Sequence, residues 1–351
     1  MAKKSKKLRM AIIGAGGIAG THMQYLSKMD DVELVAAADI VAESVQRRCE
    51  EFGIAEAFTD YKKMLRQVKP DAVSVCTPNG MHAPCTIAAH AAGAHAIVEK
   101  PMAMNAREAQ AMINAAKKHR CKLVIGFQNR FDPKTQFIKN EVDSGRLGKV
   151  VFGRVQALRR RGIPSWGVFG RKELQGGGPL IDIGVHALEM THYAMGSPKP
   201  VAASGSIFTY LGDRKSEVIG SNWDYKTYTV EDLAAGQIRF ENGAVLHIES
   251  SFAAHIQENV FNFEIMGEKG GATWSPVKIA RDDNGYMITT EPNSLPSDSF
   301  GDAFGAKLRN FVDHVLYGKE TLAPAEDGLM VQKMLDGIYA SAEKGKEVRI
   351  N

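Results

Sequence analysis

Short apolar runs and helix-spaced segments alternate along the first third of the chain. The runs fall at residues 10–13, 33–38, 72–75, 96–98 and 123–125. Between them, residues 18–29, 42–52, 84–92 and 106–119 carry apolar side chains at helical spacing. Asn105 followed by Glu108 resembles a capping box at the start of the last segment. Apolar runs this unbroken suit strands buried on both faces, and their alternation with helices predicts an α/β doubly wound parallel sheet over residues 1–130.

The rhythm changes after about Asp132. Residues 133–143 read as a helix with Ser144-Gly145 as its exit, residues 150–161 alternate like a strand, and residues 181–195 are helical again. Strand candidates follow at 201–209, 233–240, 244–251 and 260–266. Glu241-Asn242-Gly243 separates two of them, and Asn-Gly suits the positive-φ positions of a hairpin turn. Consecutive strands joined by turns predict a second, α+β domain over residues 131–351, with a largely antiparallel sheet packed on helices. The polar stretch 282–299 reads as loops, and residues 302–317 and 326–343 as helices. Two domains also suit 351 residues at roughly 100–200 residues each.

Charge refines this picture by where it lies. Lys+Arg 44 against Asp+Glu 40 gives +4, but Lys3, Lys4, Lys6, Lys7 and Arg9 supply five of the positive charges. Without them, 39 basic groups face 40 acidic ones, a nearly neutral body that argues against a nucleic-acid partner. The basic residues are read as a flexible, solvated tail over residues 1–8. No apolar run approaches the ~20 residues of a membrane helix, and no signal-peptide core follows the lysines. Cys49, Cys76, Cys85 and Cys121 form no C-x-x-C pair, so reduced thiols and a cytoplasmic location are expected.

Candidate chemistry begins at Gly14-Ala15-Gly16-Gly17-Ile18-Ala19, a G-x-G-x-x-A turn between the first strand and the first helix. Gly14 permits the tight turn, Gly16 lets the backbone approach a pyrophosphate, and Gly17 and Ile18 open the helix whose N–H groups would hold it. Asp39, with Ile40 behind it, ends the second strand 25 residues beyond Gly14. A carboxylate there can hold both adenosine ribose hydroxyls and repel a 2′-phosphate, which favours NAD over NADP, although Arg47 and Arg48 leave NADP open. Two further loops leave the carboxyl ends of strands, where such sheets bind ligands: Thr77-Pro78-Asn79 with His82, and Glu99-Lys100-Pro101.

Together with Gly126-Phe127-Gln128-Asn129-Arg130-Phe131, and with Gly176-Gly177-Gly178 leading to Asp182-Ile183-Gly184-Val185-His186, these motifs resemble the Gfo/Idh/MocA oxidoreductases across nearly the whole chain. The resemblance implies an N-terminal Rossmann domain, a C-terminal domain with an open, mostly antiparallel sheet, and a nicotinamide-dependent reaction on a sugar or polyol. It implies that Lys100 lies beside the nicotinamide, that the Lys100–Pro101 peptide is commonly cis, and that Asp182 and His186 face the reacting carbinol. It also implies a homodimer or homotetramer.

The residues support that chemistry independently. At i and i+4 on a helix, Asp182 and His186 would share a face. Neutral imidazole can take a hydroxyl proton near physiological pH, a carboxylate can orient it, and an ammonium can stabilise alkoxide character on the same oxygen. Catalytic roles are therefore expected for Lys100, Asp182 and His186, with the glycines upstream giving access. Cofactor contacts are expected from Gly14, Gly16, Gly17, Ile18, Asp39, Ile40, Thr77, Pro78, Asn79, His82, Glu99, Lys100 and Gln128. For the substrate, Arg130, Arg160 and Trp166 join Lys100, Asp182 and His186 as candidates. Scattered histidines argue against a metal. The expected reaction is reversible NAD-dependent oxidation of a secondary or anomeric hydroxyl of a sugar or inositol-like polyol to a ketone or lactone. Two rivals are a transient 3-keto-sugar reaction without net redox change and a non-catalytic dinucleotide- and sugar-binding regulator.

Overall fold

The computed structural model describes residues 7–296 and 300–350. The described parts of Met1–Phe131 and Ser299–Leu329 form one compact unit, and those of Asp132–Asp298 and Met330–Asn351 form another. Among the described residues no helix is long and apolar enough to cross a membrane.

The first unit holds a six-stranded parallel sheet of β1 (Leu8–Ile13), β2 (Val32–Ala38), β3 (Glu56–Phe58), β4 (Ala72–Val75), β5 (His95–Val98) and β6 (Leu123–Ile125), ordered β3-β2-β1-β4-β5-β6. β4 and β6 coincide with the runs read from sequence, and so do the helices Ala42–Phe52 and Ala106–His119. The Asn105 cap is made: its Oδ1 accepts from Glu108 N at 3.0 Å, while Glu108 Oε2 accepts from Met104 N at 3.3 Å. The strand order reverses between β1 and β4, so a crevice opens at the carboxyl ends of these two strands.

Two expectations need correction here. Leu8 is buried in β1 and Arg9 donates to the carbonyls of Lys69 and Val68 at 2.9 and 3.0 Å, so neither belongs to a tail; Lys3, Lys4 and Lys6 lie outside the described residues. Residues 302–317 were assigned with everything after residue 130 to the second domain, yet the helix Phe300–Tyr317 belongs to the first unit. Arg309 on that helix forms a bidentate pair with Asp31 at 2.7 and 2.9 Å. Lys307, two residues earlier, reaches into the interior beside β5.

The second unit holds a nine-stranded, mostly antiparallel sheet. Its strands are β7 (Val150–Leu158), β8 (Pro200–Phe208), β9 (Leu233–Phe240), β10 (Val245–Ser251), β11 (Val260–Gly267), β12 (Gly270–Thr273), β13 (Lys278–Asp283), β14 (Tyr286–Thr290) and β15 (Val348–Arg349). The order is β14-β13-β12-β11-β7-β10-β9-β8-β15, with β7 and β10 parallel. Alternation is clean on β10: Leu246 and Ile248 are buried, whereas His247 and Glu249 are exposed. The outward face is laced by polar cross-strand pairs such as Arg154–Glu264 and Gln156–Glu249, both at 3.1 Å. Gly243 turns β9 into β10 at φ +87°. Part of the stretch read as loops is a hairpin instead: Asn284 and Gly285, at φ +50° and +83°, join β13 to β14. Its polarity hid it, because β14 is an edge strand with almost no buried residue.

Candidate active site

In the first unit the glycine loop is shaped by contact and by space. Gly14 sits at φ +97°, and a Cβ there would lie 2.6 Å from the Cys76 carbonyl oxygen, so only glycine fits. A Cβ on Gly16 or Gly17 would meet nothing within 4 Å. The helix Gly17–Leu26 starts with no side-chain cap, leaving its first N–H groups to a ligand at that opening. Asp39 ties this loop to the end of β2: Oδ2 accepts from Ala15 N at 2.7 Å and Oδ1 from Val41 N at 2.9 Å. Each oxygen keeps a further lone pair for a ribose hydroxyl. Ile40 is 90 % exposed, an apolar surface suited to the face of an adenine. Arg48 is engaged locally, donating to Glu51 at 2.6 Å and to Gly16 O at 3.4 Å. An open cradle with helical N–H donors, a fixed carboxylate and an exposed aliphatic side chain fits a dinucleotide.

The next two loops are knitted together from inside. His82 is buried, with Nδ1 2.7 Å from Pro101 O and Nε2 2.9 Å from Thr77 O. Burial holds its imidazole below the usual range despite both carbonyls, and its two ring nitrogens span the Thr77 and Lys100 loops. Thr77 Oγ1 is shielded and has no hydrogen-bond partner among the described residues, whereas Pro78 is exposed. Asn79 and Gln128 are almost wholly buried. The Lys100–Pro101 peptide is cis. Over residues 96–103 Lys100 alone is not buried.

Glu99 is engaged by groups inside its own unit. Its Oε1 accepts from Lys307 Nζ at 2.5 Å and contacts His22 Nε2 at 3.0 Å, while His22 Nδ1 meets Ser74 Oγ at 2.7 Å. Burial alone would push the Glu99 carboxyl up, but the Lys307 charge and the His22 hydrogen bond hold it well below the usual carboxylate range. Burial and Lys307 push the His22 imidazole down, so it is neutral, and the network assigns Nε2–H as donor to Glu99. Nearby, burial and the Glu99 charge push the Cys76 thiol up to about 12. Arg130 likewise departs from its expected role: it is fully buried, donating to Asp327 at 2.6 Å and to Leu322 O at 2.7 Å. It secures residues 322–327 and offers no surface to a substrate.

In the second unit Asp182 lies on a π-helical turn, Leu180–Gly184, that runs into the helix Val185–Ala194. The expected single α-helical spacing is thus interrupted by one wider turn ahead of His186. From residue 177 to 192 every side chain is buried except those of Asp182 and His186. The glycines upstream do not give access. A Cβ on Gly177 would lie 2.1 Å from Tyr339 Oη, and one on Gly178 2.1 Å from Glu231 O, so they allow close packing instead. The two remaining candidates do not share a pocket. Trp166 is 68 % exposed over a cleft of about 60 Å³ bounded by Trp223 and Tyr228. Arg160 lines a separate hollow of about 580 Å³ with Arg161, His255 and Asn259.

A family model described as an oxidoreductase family with an NAD-binding Rossmann fold matches residues 8–127, and the C-terminal alpha/beta domain of the same family matches residues 139–350. The chain belongs to the Gfo/Idh/MocA oxidoreductase family. Its relative D-glucoside 3-dehydrogenase of Escherichia coli is 40 % identical over 351 residues, covering 99 % of each chain. Myo-inositol 2-dehydrogenase of Thermotoga maritima is 27 % identical over 351 residues, 98 % of each. The solved structure of levoglucosan dehydrogenase in complex with NADH superposes with a TM-score of 0.87 at 22 % identity, over 99 % of this chain and 100 % of that one. The parallel sheet of this Gfo/Idh/MocA protein is therefore an NAD-binding Rossmann domain, and the open space beside Gly16 and Gly17 lies at the turn between its first strand and first helix.

Sequence reasoning missed the groups behind these loops: His22, Ser74 and Lys307 in the first unit, Glu231, Ser250 and Tyr339 in the second. The signal was present only as polar residues inside apolar contexts, such as Ser74 in Ala72–Val75 and Glu231-Asp232 just ahead of β9.

Proposed function

We propose that this protein oxidises a secondary ring hydroxyl of a sugar, most specifically the 3-hydroxyl of a glucoside, to the ketone, reversibly and with NAD. The observation that carries the catalytic assignment is the pairing of Asp182 and His186 as the two uncovered side chains in an otherwise buried stretch. The glucoside assignment is supported by the 40 % identical relative, a D-glucoside 3-dehydrogenase matching end to end.

When bound, the nicotinamide supplies the acceptor for the hydride that leaves the carbinol carbon. The hydroxyl proton passes to an imidazole nitrogen of His186, as the carbon–oxygen bond becomes a carbonyl. Asp182 orients that ring and stabilises the imidazolium. Lys100 hydrogen-bonds to the same oxygen and stabilises its alkoxide character before the carbonyl forms. Asp39 selects NAD by accepting from the ribose hydroxyls, and a 2′-phosphate would meet its charge.

The test is NADH formation with methyl β-D-glucopyranoside, myo-inositol and free glucose, each with NAD and with NADP. Turnover fastest with the glucoside and NAD is expected, and His186→Ala should lower kcat by about 10²–10⁴-fold. Near-normal turnover in His186→Ala or Lys100→Met would remove these residues from the reaction.

A further inference from the structure

The turn that carries Asp182 is held from below by groups that take no part in the proton transfer. Glu231 is buried, and its carboxylate spans the start of the turn: Oε2 accepts from Gly178 N at 2.9 Å and Oε1 from Leu180 N at 3.2 Å. Tyr339 donates its hydroxyl to the same Oε1 at 2.8 Å. Ser250, buried on β10, donates to the intervening Pro179 carbonyl at 2.8 Å. A Cβ on Gly184 would come within 2.9 Å of Ser250 Oγ, so the far end of the turn is seated on the same serine.

A π turn contains one residue more than the α-helical turn it replaces, and it persists only where its surroundings impose it. If the extra residue were absorbed and the segment became α-helical, Asp182 would rotate by about 100° relative to the helix that bears His186. The N–H groups of Gly178 and Leu180 stand at the entrance to that turn. Two carboxylate oxygens on those two donors set where the turn begins, and a negative group there also suits the positive end of the following helix.

We propose that Glu231, supported by Tyr339 and Ser250, is a positioning residue that fixes the π turn and thereby the aim of Asp182 and His186 at the hydroxyl. This rests on the reading that Asp182 and His186 carry the proton chemistry. Glutamine at 231 keeps the size of the side chain but replaces one acceptor oxygen with an N–H donor facing a backbone N–H, so the turn loses half its anchor. Phenylalanine at 339 removes the hydroxyl that steadies the carboxylate.

The experiment compares Glu231→Gln, Tyr339→Phe, Asp182→Asn and His186→Ala in the full-length protein, with NAD and methyl β-D-glucopyranoside. Steady-state kinetics across pH, NADH affinity by fluorescence and thermal stability are read for each. Glu231→Gln should lower kcat by about 10–100-fold, the scale of an ångström-sized misplacement, with NADH affinity unchanged. With Asp182 misaimed, the acid limb of the kcat profile should move in the same direction as Asp182→Asn moves it. Tyr339→Phe should move the same two quantities in the same direction by less, and it carries the test if Glu231→Gln fails to fold. Normal kcat in these variants, or a loss of kcat with the acid limb unmoved, overturns the proposal. If His186→Ala keeps turnover, the underlying assignment falls and this inference with it. If His186→Ala is inactive while Glu231→Gln and Tyr339→Phe turn over normally, only the positioning role falls.

Discussion

Replacing Lys307 with methionine isolates a fully buried charge in the NAD-binding unit. The Lys307 side chain is wholly covered and that of Glu99 is 7 % exposed, with Nζ 2.5 Å from Oε1. Methionine fills the aliphatic stem but leaves the carboxylate with the neutral His22 and the Lys100 N–H, and no cation against it. Removing one partner of such a pair costs about 3–5 kcal/mol, because the remaining ion is buried uncompensated. At roughly 2–4 °C per kcal/mol for a unit of this size, the transition of the first unit should fall by about 6–20 °C. The double variant Lys307→Met/Glu99→Gln should recover most of the loss, since it leaves no buried ion.

Differential scanning calorimetry is the suitable assay, because two units need not melt in one step. Its pH dependence is diagnostic. In the native protein the Glu99 carboxyl is held below its ordinary value, so its stabilisation is present above the usual carboxylate range and fades as pH falls through it. Without Lys307 the dominant influence is burial, which favours the protonated form, so acid relieves the variant before the native protein begins to lose the Glu99 contribution. The difference between the two should therefore shrink from pH 8 to pH 5. A shift under about 2 °C, or one that is constant across that range, would refute a buried charge pair at this position.

Gly14→Ala and Gly16→Ala should separate fold from function. The first forces a Cβ against the Cys76 carbonyl at positive φ and should lower both thermal stability and NADH affinity. The second places its methyl in open space, so stability should hold while NADH affinity, measured by fluorescence titration, falls by about tenfold or more. The imidazoles of His22, His82, His90 and His95 are all held low, chiefly by burial, so the unfolded chain binds more protons as pH drops below the usual histidine range. The melting temperature should decline between pH 7 and pH 5, and a flat profile would contradict the neutral, buried assignment.

What could be read along the chain was whatever depends on near neighbours. The buried strand Ala72–Val75, the helix Ala106–His119 with its Asn105 cap, and the hairpin at Gly243 each follow from a few consecutive residues and their steric preferences. The hairpin at Asn284-Gly285 carried the same turn signal and was overlooked, because an exposed edge strand buries too little to show an apolar pattern. The glycine loop, Asp39, Lys100, Asp182 and His186 were legible as motifs because the chemistry asks for those residue types at those spacings.

Other roles were decided by partners far away in sequence. Glu99 reads beside Lys100 as a cofactor contact, and the structure adds that Lys307, 208 residues on, and His22, 77 residues back, hold its carboxylate. Arg130 changed from a substrate contact to a buried anchor through Asp327, 197 residues away. The glycines before Asp182 changed from an opening to a packed seat through Glu231, 53 residues beyond Gly178. Local periodicity records how much of a side chain is buried and in which direction the backbone turns. It carries no record of which distant group completes a buried charge, because that choice is made by desolvation as each unit packs around it. The sequence by itself determined the strands, the caps and the chemical alphabet of the site; the tertiary structure decided which of those letters face the substrate and which hold the others in place.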